Sequence, residues 1–158
     1  MTPVYIRKLR LGDHLTSRHW RNDPRIWEYT GFRPNIHVTE QVEEEWIKKV
    51  LAQTDSSRYA ICVQGTDQYI GNVQLTDIQD GTAEFHIFIG DTAYWGKGVG
   101  AQATRLMVEQ GFADGLHEIY LYVHTANLPA IAIYRKCGFE VTEESSEKLK
   151  MTIRKPSL

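Results

Sequence analysis

A glycine-rich stretch in the middle of the chain has the composition of an anion-binding turn. It joins a strand pattern to the start of a helical pattern and consists of Tyr94, Trp95, Gly96, Lys97, Gly98, Val99 and Gly100. Glycine lets a backbone approach a ligand closely, and the first N–H groups of a helix lie unpaired at the positive end of its dipole. We therefore expect this turn to bind a phosphate or pyrophosphate, with a purely structural turn as the alternative. The glycine spacing fits neither a P-loop nor a dinucleotide-binding fingerprint.

A second stretch, further along the chain, predicts a helix that carries a tyrosine on its apolar face. Asn127 follows a strand pattern and precedes Pro129, which is typical of a helix N-cap. Tyr134 lies two turns into this helix, and Gly138 is its expected end. By default such a tyrosine belongs to the core, where its hydroxyl finds a hydrogen-bond partner.

The elements that position these residues follow from the periodicity of the chain. Period-2 and β-branched runs predict strands, and apolar residues at i, i+3 and i+4 predict helices. The predicted strands are Val4–Arg7, Arg58–Gln64, Gln68–Asp77, Thr82–Ile89, His117–Val123, Phe139–Thr142 and Leu149–Arg154. Helices are predicted after the N-caps Asp13, Thr39 and Asn127 and from Gly100 onward. This order predicts an α/β fold with a mixed sheet rather than a doubly wound parallel sheet.

The composition of the chain narrows the classes of protein to which it can belong and the partners that it is expected to bind. The chain has 158 residues, is 42% hydrophobic and carries a formal net charge of -2, which predicts one globular domain over residues 1–158 and no binding of nucleic acid or of an anionic membrane surface. No apolar run approaches the length of a membrane span, and the first residues lack the apolar middle of a signal peptide. We therefore expect a cytoplasmic protein. The two cysteines, Cys62 and Cys137, are expected to be buried free thiols, and no metal site is expected.

The two stretches together resemble the GNAT superfamily of acetyl-CoA-dependent N-acetyltransferases. The family's pyrophosphate motif, Q/R-x-x-G-x-G/A, resembles the run from Trp95 to Gly100, with Trp95 in the usual Gln/Arg position. The later family motif, N-x-x-A-x-x-x-Y-x-x-x-G-F, fits at Asn127, Ala130, Tyr134, Gly138 and Phe139. The predicted order of elements is also that of the family, so the resemblance covers nearly the whole chain. It implies a mainly antiparallel mixed sheet, with splayed fourth and fifth strands and flanking helices.

The resemblance also implies where acetyl-CoA binds. Its pantetheine arm is expected in the gap between the fourth and fifth strands, bonded to the backbone of the fourth strand and to Asn127. Tyr134 is then expected beside the thioester sulfur, as the general acid that protonates the leaving thiolate. The backbone groups that the resemblance assigns to acetyl-CoA are those of Ile87, Phe88 and Ile89 and of Trp95, Gly96, Lys97, Gly98, Val99, Gly100 and Ala101.

The acceptor amine is protonated at neutral pH, so it must lose a proton before it attacks. Alternation along the fourth strand places Glu84 and His86 on one face. Glu84 is the favoured base, because it resembles the glutamate at this strand in polyamine acetyltransferases; His86, or no dedicated base, are the alternatives. Some relatives carry a glutamate on the fifth strand, where this chain has Tyr122.

The acceptor itself stays open between a small-molecule and a peptide amine. The segment from His19 to Trp27 resembles nucleotide-sugar amine and ribosomal-protein N-terminal acetyltransferases, whereas the region around Asn127 resembles spermidine acetyltransferases. Acidic residues that could bind a polycation are Glu28, Glu40, Glu43, Glu44 and Glu45, but those of the second helix are equally expected as a solvated face. A non-catalytic acyl-CoA-binding module or sensor is the alternative function, and a homodimer is left open.

Overall fold

The computed structural model describes residues 1–27 and 37–157, with only the backbone given for Ile26 and Trp27. The strands are β1 (Val4–Lys8), β2 (Ser57–Val63), β3 (Tyr69–Gln79), β4 (Thr82–Ile89), β5 (Glu118–His124), β6 (Glu140–Glu144) and β7 (Lys148–Arg154). The α-helices are α1 (His14–Arg21), α2 (Glu40–Leu51), α3 (Val99–Ala113) and α4 (Leu128–Lys136). Short 3-10 turns lie at Leu11–Asp13, Pro24–Trp27 and Thr92–Tyr94. Each predicted strand and helix is present, with ends that differ by a few residues at most.

The strands form one mixed sheet in the order β1-β2-β3-β4-β5-β7-β6. Every neighbouring pair is antiparallel except β4 and β5, which are parallel. The parallel pairing comprises only the three pairs Thr82 with Glu118, Ala83 with Ile119 and Glu84 with Tyr120, after which the two strands separate. The predicted mixed α/β fold with splayed fourth and fifth strands is therefore confirmed.

Two apolar clusters cover the two faces of the sheet. The larger lies under α3 and α4 and includes Ile61, Leu75, Phe85, Met107 and Ile119, all almost fully buried. The smaller lies under α1 and α2 and consists of Leu9, Trp20, Val50, Ala60, Cys62 and Tyr69. Alternate residues of β2 thus point to different clusters, as the period of a strand requires. Cys62 is a buried free thiol as expected, and Cys137 is a half-buried one.

Local chemistry explains where the helices begin. The Oγ1 of Thr39 accepts the N–H of Val42 at 3.2 Å, and the Oδ1 of Asn127 accepts the N–H of Ala130 at 3.3 Å, so both predicted N-caps are confirmed. Asp13 occupies the predicted N-cap position of α1, but the capping role predicted for its side chain is wrong. The carboxylate instead accepts two charge-assisted bonds of 2.8 and 2.9 Å from the guanidinium of Arg7 and the N–H of Arg10 at 2.9 Å.

The solvated face predicted for α2 is also wrong at one position. Glu43 is 0% exposed, lies 3.3 Å from the Nε of Arg21 and accepts the hydroxyl of Ser17 at 3.1 Å. Its neighbours Glu44 and Glu45 are half-exposed and exposed.

Within the described part of the chain, no helix has the length and apolar character that a membrane span requires.

Candidate active site

The separation of β4 from β5 opens a gap in the middle of the sheet. Beyond Glu84, β5 offers β4 no further ladder partner, while β3 continues to pair with β4 as far as Ile89. Ile87 and Ile89 are half-buried along this gap. A strand edge of this kind can hydrogen-bond an extended ligand through its backbone. The amide-containing pantetheine arm of acetyl-CoA has the chemistry that such an edge accepts.

Trp95 connects the end of β4 to the glycine-rich turn. Its indole Nε1 donates a hydrogen bond of 2.8 Å to the carbonyl of Ile89, although 42% of the residue is exposed. One lone pair of that carbonyl is therefore already occupied, so a ligand at Ile89 would have to use the other. This anchoring role of the indole was not foreseen from the sequence, where Trp95 was a departure from the motif and only its backbone was assigned to acetyl-CoA.

The glycine-rich turn has the geometry of an anion cradle. Gly96 and Gly98 have φ angles of +73° and +77°, a region that favours glycine, and α3 begins directly afterwards at Val99. The first α-type bond of the helix runs from the N–H of Gln102 to the carbonyl of Gly98, so the N–H groups of residues 99–101 have no intrahelical acceptor. These groups can therefore receive an anion.

The surroundings of Gly100 leave room for a phosphate at this helix start. Its φ does not lie in the left-handed region, and a Cβ there would meet only the Cδ1 of Ile133, at an ordinary contact distance of 3.5 Å. Neither backbone conformation nor packing within the described residues requires a glycine at this position. A bound group close to the backbone would require it, so the cradle fits the pyrophosphate of CoA.

Gln102 holds the cradle against the beginning of the chain. Its amide nitrogen donates to the carbonyl of Thr2 at 2.7 Å, and its amide oxygen accepts the N–H of Val4 at 3.1 Å. The N–H of Thr2 in turn donates to the carbonyl of Lys97 at 3.1 Å. The side chain of Lys97 is exposed. Sequence reasoning missed Gln102, because a contact across about a hundred residues leaves no local pattern.

Asn127 caps α4 and Tyr134 lies on this helix, beside the gap. Asn127 uses its side-chain oxygen as the helix cap, which leaves its amide N–H groups without a partner among the described residues. The ring of Tyr134 packs against Phe85 and Phe139, with centroids 6.1 and 6.0 Å apart. Burial raises the pKa of Tyr134 to about 12. In the described part of the chain no group hydrogen-bonds its hydroxyl, which differs from the expectation for a core tyrosine.

Glu84 and His86 lie on the same face of β4, as predicted. The Oε2 of Glu84 is 3.3 Å from the Nε2 of His86, and the hydroxyl of Thr76 is 3.1 Å from the same nitrogen. Burial lowers the pKa of His86, and the negative charge of Glu84 opposes that effect only in part. The imidazole is therefore neutral at pH 7 and able to accept a proton.

The segment that resembles other acetyltransferases near α1 has structural contacts in this protein. Trp20 is buried against Tyr69 and Phe88, with ring centroids 4.6 and 6.0 Å away. The amide of Asn22 bonds both backbone groups of Val38, which joins the end of α1 to the segment before α2. Glu28 and the side chain of Trp27 lie outside the described residues.

In residues 1–27 and 37–157 no cluster of three or more His, Cys, Asp or Glu side chains could hold a metal ion.

Comparison with known proteins identifies the family. A family model for the acetyltransferase (GNAT) domain matches residues 4–140, from the start of β1 to the start of β6. The protein therefore belongs to the GNAT acetyltransferase family, whose members use acetyl-CoA as the acetyl donor. The resemblance that the two sequence motifs suggested is confirmed.

Individual relatives are similar over part or all of the chain. A spermidine N(1)-acetyltransferase of Escherichia coli K12 is 38% identical over 93 residues, which are 57% of this chain and 50% of that enzyme. The chain thus spans about half the length of the curated relatives that it matches first. A spermidine N-acetyltransferase from Vibrio cholerae, solved with CoA and spermine, has a TM-score of 0.85 at 24% identity and covers 96% of this chain and 95% of its own. An aminoglycoside acetyltransferase solved with coenzyme A has a TM-score of 0.78 at 25% identity, with coverage of 96% and 95%.

Proposed function

We propose that this protein transfers an acetyl group from acetyl-CoA to the nitrogen of a primary amine. The observation that carries the proposal is the gap between β4 and β5, because an anion cradle lies at one end of β4 and an unpartnered tyrosine hydroxyl lies on the helix beside it. Family membership supports the same reaction class. Residues 1–158 are proposed to act as one domain.

The chain's own groups divide the binding of acetyl-CoA between them. Backbone N–H groups from Gly96 to Ala101 bind the pyrophosphate, and Trp95 anchors that turn. Lys97 belongs to the same turn, and its ammonium group adds a positive charge for the phosphates. The backbone of Ile87, Phe88 and Ile89 and the amide of Asn127 bind the pantetheine arm. These assignments combine the family pattern with the unpaired groups found on α3 and α4.

Acetyl-CoA supplies the acetyl group as a thioester, so that the amine nitrogen gains a bond to the carbonyl carbon while the carbon–sulfur bond breaks and its electron pair goes to sulfur. Tyr134 is proposed to donate a hydrogen bond, and then its proton, to that sulfur. Its raised pKa makes full proton transfer less favourable but keeps the donor protonated throughout the physiological range. A donor held in an apolar surrounding also stabilises charge as it develops on sulfur.

Glu84 is proposed as the base that removes the proton of the amine. It lies beside His86, whose neutral imidazole could accept the proton from Glu84 or directly from the amine. The two residues share one face of β4, so they act on the same side of the sheet.

The test is a thiol-release assay with acetyl-CoA and a panel of polyamines, amino sugars, aminoglycosides, amino acids and peptide N-termini. We expect acetylation of one class, with mass spectrometry showing a single added acetyl group on nitrogen. Tight acetyl-CoA binding without release of thiol, whatever the amine, would instead support the non-catalytic acyl-CoA-binding module. A structurally similar spermidine N-acetyltransferase from Vibrio cholerae has been solved as a dodecamer, so sedimentation of this protein should accompany the assay.

A further inference from the structure

Arg58 lies on the side of the sheet that carries Glu84 and His86, and it has no carboxylate partner among the described residues. Its guanidinium lies over the ring of Trp46 at 6.0 Å, and its Nη2 donates to the Oε1 of Gln53 at 3.1 Å. Its Nε is buried and has no acceptor in residues 1–27 and 37–157. In the described part of the chain, no carboxylate lies within ion-pair distance of Arg58, although Asp55 attracts it from further away. Part of its hydrogen-bonding capacity is therefore unused.

The register of the sheet places Arg58 in the same cross-strand row as His86, which neighbours the proposed base Glu84. Arg58 lies opposite Gln74 on β3, and Gln74 lies opposite His86 on β4, so the three residues form one row across three strands. Two strand spacings separate the ends of that row, a distance of about 10 Å between backbones. The two side chains also interact electrostatically. Burial is the main cause of the lowered pKa of His86, and the positive charge of Arg58 lowers it further.

The neighbouring row has an unused donor as well. Asn72 is 2% exposed, its amide oxygen accepts the hydroxyl of Tyr69, and its amide nitrogen is buried without an acceptor in the part of the chain that the structure describes. Buried donors without acceptors are unfavourable, and an anion is the ligand that satisfies a surplus of donors. Toward β5, Lys150 lies 4.8 Å above the ring of Tyr120 and adds a second cation.

These features bear on the acceptor, and the inference rests on the proposed function. We propose that the acceptor is an amine that also carries an anionic group, a carboxylate or a phosphate, and that Arg58 binds this group while the amine lies at Glu84. A fully cationic polyamine has no group for Arg58 and would be repelled by it. Glu84 and the exposed Asp77 are the negative charges that would attract the amine end.

The experiment compares amines with and without the anion, and kcat/KM is expressed per concentration of unprotonated amine because the carboxylate also raises the pKa of the amine. Initial rates are measured for glycine, β-alanine and γ-aminobutyrate against their carboxamides, for O-phosphoethanolamine against ethanolamine, and for spermidine. In the unmodified protein we expect kcat/KM to be higher for the anionic member of at least one pair. Charge-assisted hydrogen bonds of the usual strength predict a ratio of about 10 to 100. The pair with the highest ratio distinguishes carboxylate from phosphate.

Arg58→Gln should reduce that ratio toward one, and Arg58→Lys should retain part of it. Because the readout is a ratio within one protein, a general loss of folding or activity does not mimic it. Arg154→Gln removes the same charge from an exposed position at the end of β7 and should leave the ratio unchanged. Ratios near one for every pair, or a ratio that Arg58→Gln does not alter, would overturn the inference while leaving amine acetylation intact. Absence of thiol release with every amine would remove the proposed function and this inference together.

Discussion

At the scale of single residues, the contacts of Tyr134 bear on whether it has the proposed catalytic role or only a packing role. A buried phenol normally finds a hydrogen-bond partner, as Tyr69 does with Asn72. Tyr134 packs its ring between Phe85 and Phe139 but leaves its hydroxyl without a partner among the described residues. The ring is thus fixed by packing, and the hydroxyl is available for a ligand.

Tyr134→Phe should therefore slow acetyl transfer without loosening the fold. We expect kcat to fall on the order of 10²-fold, the usual contribution of a general acid, and acetyl-CoA affinity to change little, because the hydroxyl acts mainly as charge develops on sulfur. Steady-state kinetics and calorimetric titration with acetyl-CoA measure the two quantities. Unchanged kcat on a confirmed substrate would show that Tyr134 has only a packing role in the core.

Tyr69→Phe is the matched control for stability. It removes a hydroxyl that does have a partner and leaves the amide of Asn72 less satisfied, so it should lower the free energy of unfolding by about 1 to 2 kcal/mol. Tyr134→Phe should lower it by much less.

The pKa of Tyr134, about 12, also predicts that this group causes no loss of kcat as the pH rises to about 10.5, since the phenol stays protonated there.

At the scale of elements, the turn before α3 depends on glycine for two different reasons. Gly96 needs glycine for its positive φ, and a Cβ there would meet no atom within 4 Å. Gly98 also has a positive φ, but a Cβ there would lie 2.9 Å from the Cγ of Met1, so a substitution would disturb a protein contact as well. Gly96 is consequently the cleaner position at which to test ligand approach.

Gly96→Val should weaken acetyl-CoA binding more than its backbone strain explains. Gly65 provides the control, because it has a φ of +93°, equally open surroundings and a place in the turn between β2 and β3. Both valine variants should lose similar stability, whereas only Gly96→Val should lose affinity, by about tenfold or more if one N–H contact to phosphate is lost. Equal acetyl-CoA affinities of the two variants in calorimetric titration would argue against the cradle.

The contact between α1 and α2 depends on Glu43. Glu43→Ala removes a fully buried carboxylate that pairs with Arg21 and accepts the hydroxyl of Ser17, so it should lower the free energy of unfolding by about 3 kcal/mol in urea denaturation. Glu45→Ala, on the exposed face of the same helix, should change it by about 0.5 kcal/mol or less. A similar loss in both variants would show that α2 contributes through helix propensity instead.

The same residue gives a pH dependence with a defined sign. Burial raises the pKa of Glu43, and the ion pair with Arg21 opposes the rise only in part. The folded protein therefore binds this proton more tightly than the unfolded chain, and the resulting stabilisation is lost as the pH rises through the folded pKa. The stability advantage of the unmodified protein over Glu43→Gln should be larger near about pH 4.5 than at about pH 7.

At the scale of the whole molecule, the two proposed binding sites use different parts of the sheet. In the proposed function, the edge of β4 that faces the gap binds the acetyl donor, and the face that carries Glu84, His86 and Arg58 binds the acceptor. The two substrates would then meet at the point where β4 leaves β5. This arrangement suits direct attack of an amine on a thioester, because neither substrate has to leave before the other binds.

Net charge sets a limit on macromolecular partners. With 18 basic and 20 acidic residues the chain has no overall positive field, so we expect no submicromolar binding of duplex DNA or RNA near physiological salt. Fluorescence anisotropy with labelled duplexes measures this. A submicromolar affinity that weakens steeply with added salt would contradict the expectation.

The sequence by itself determined the features that depend on neighbouring residues. Strand alternation, the capping residues Thr39 and Asn127 and the glycine turn are local, so the order of elements and the family motifs could be predicted before any tertiary contact was known. The alternation along β4 likewise placed Glu84 and His86 on one face. Local periodicity carries this information because each element has its own repeat.

Only the tertiary structure decided which groups have partners. The carboxylate of Asp13 pairs with the guanidinium of Arg7 and does not cap α1. Glu43 is buried with Arg21 and Ser17 as its partners. The amide of Gln102 donates to the carbonyl of Thr2, about a hundred residues away. Within the described residues, Tyr134 and Arg58 also retain hydrogen-bonding groups without a partner, which no pattern of residues could reveal. The physical reason is that whether a polar group is satisfied depends on contacts between segments distant in sequence, and these exist only once the sheet has formed.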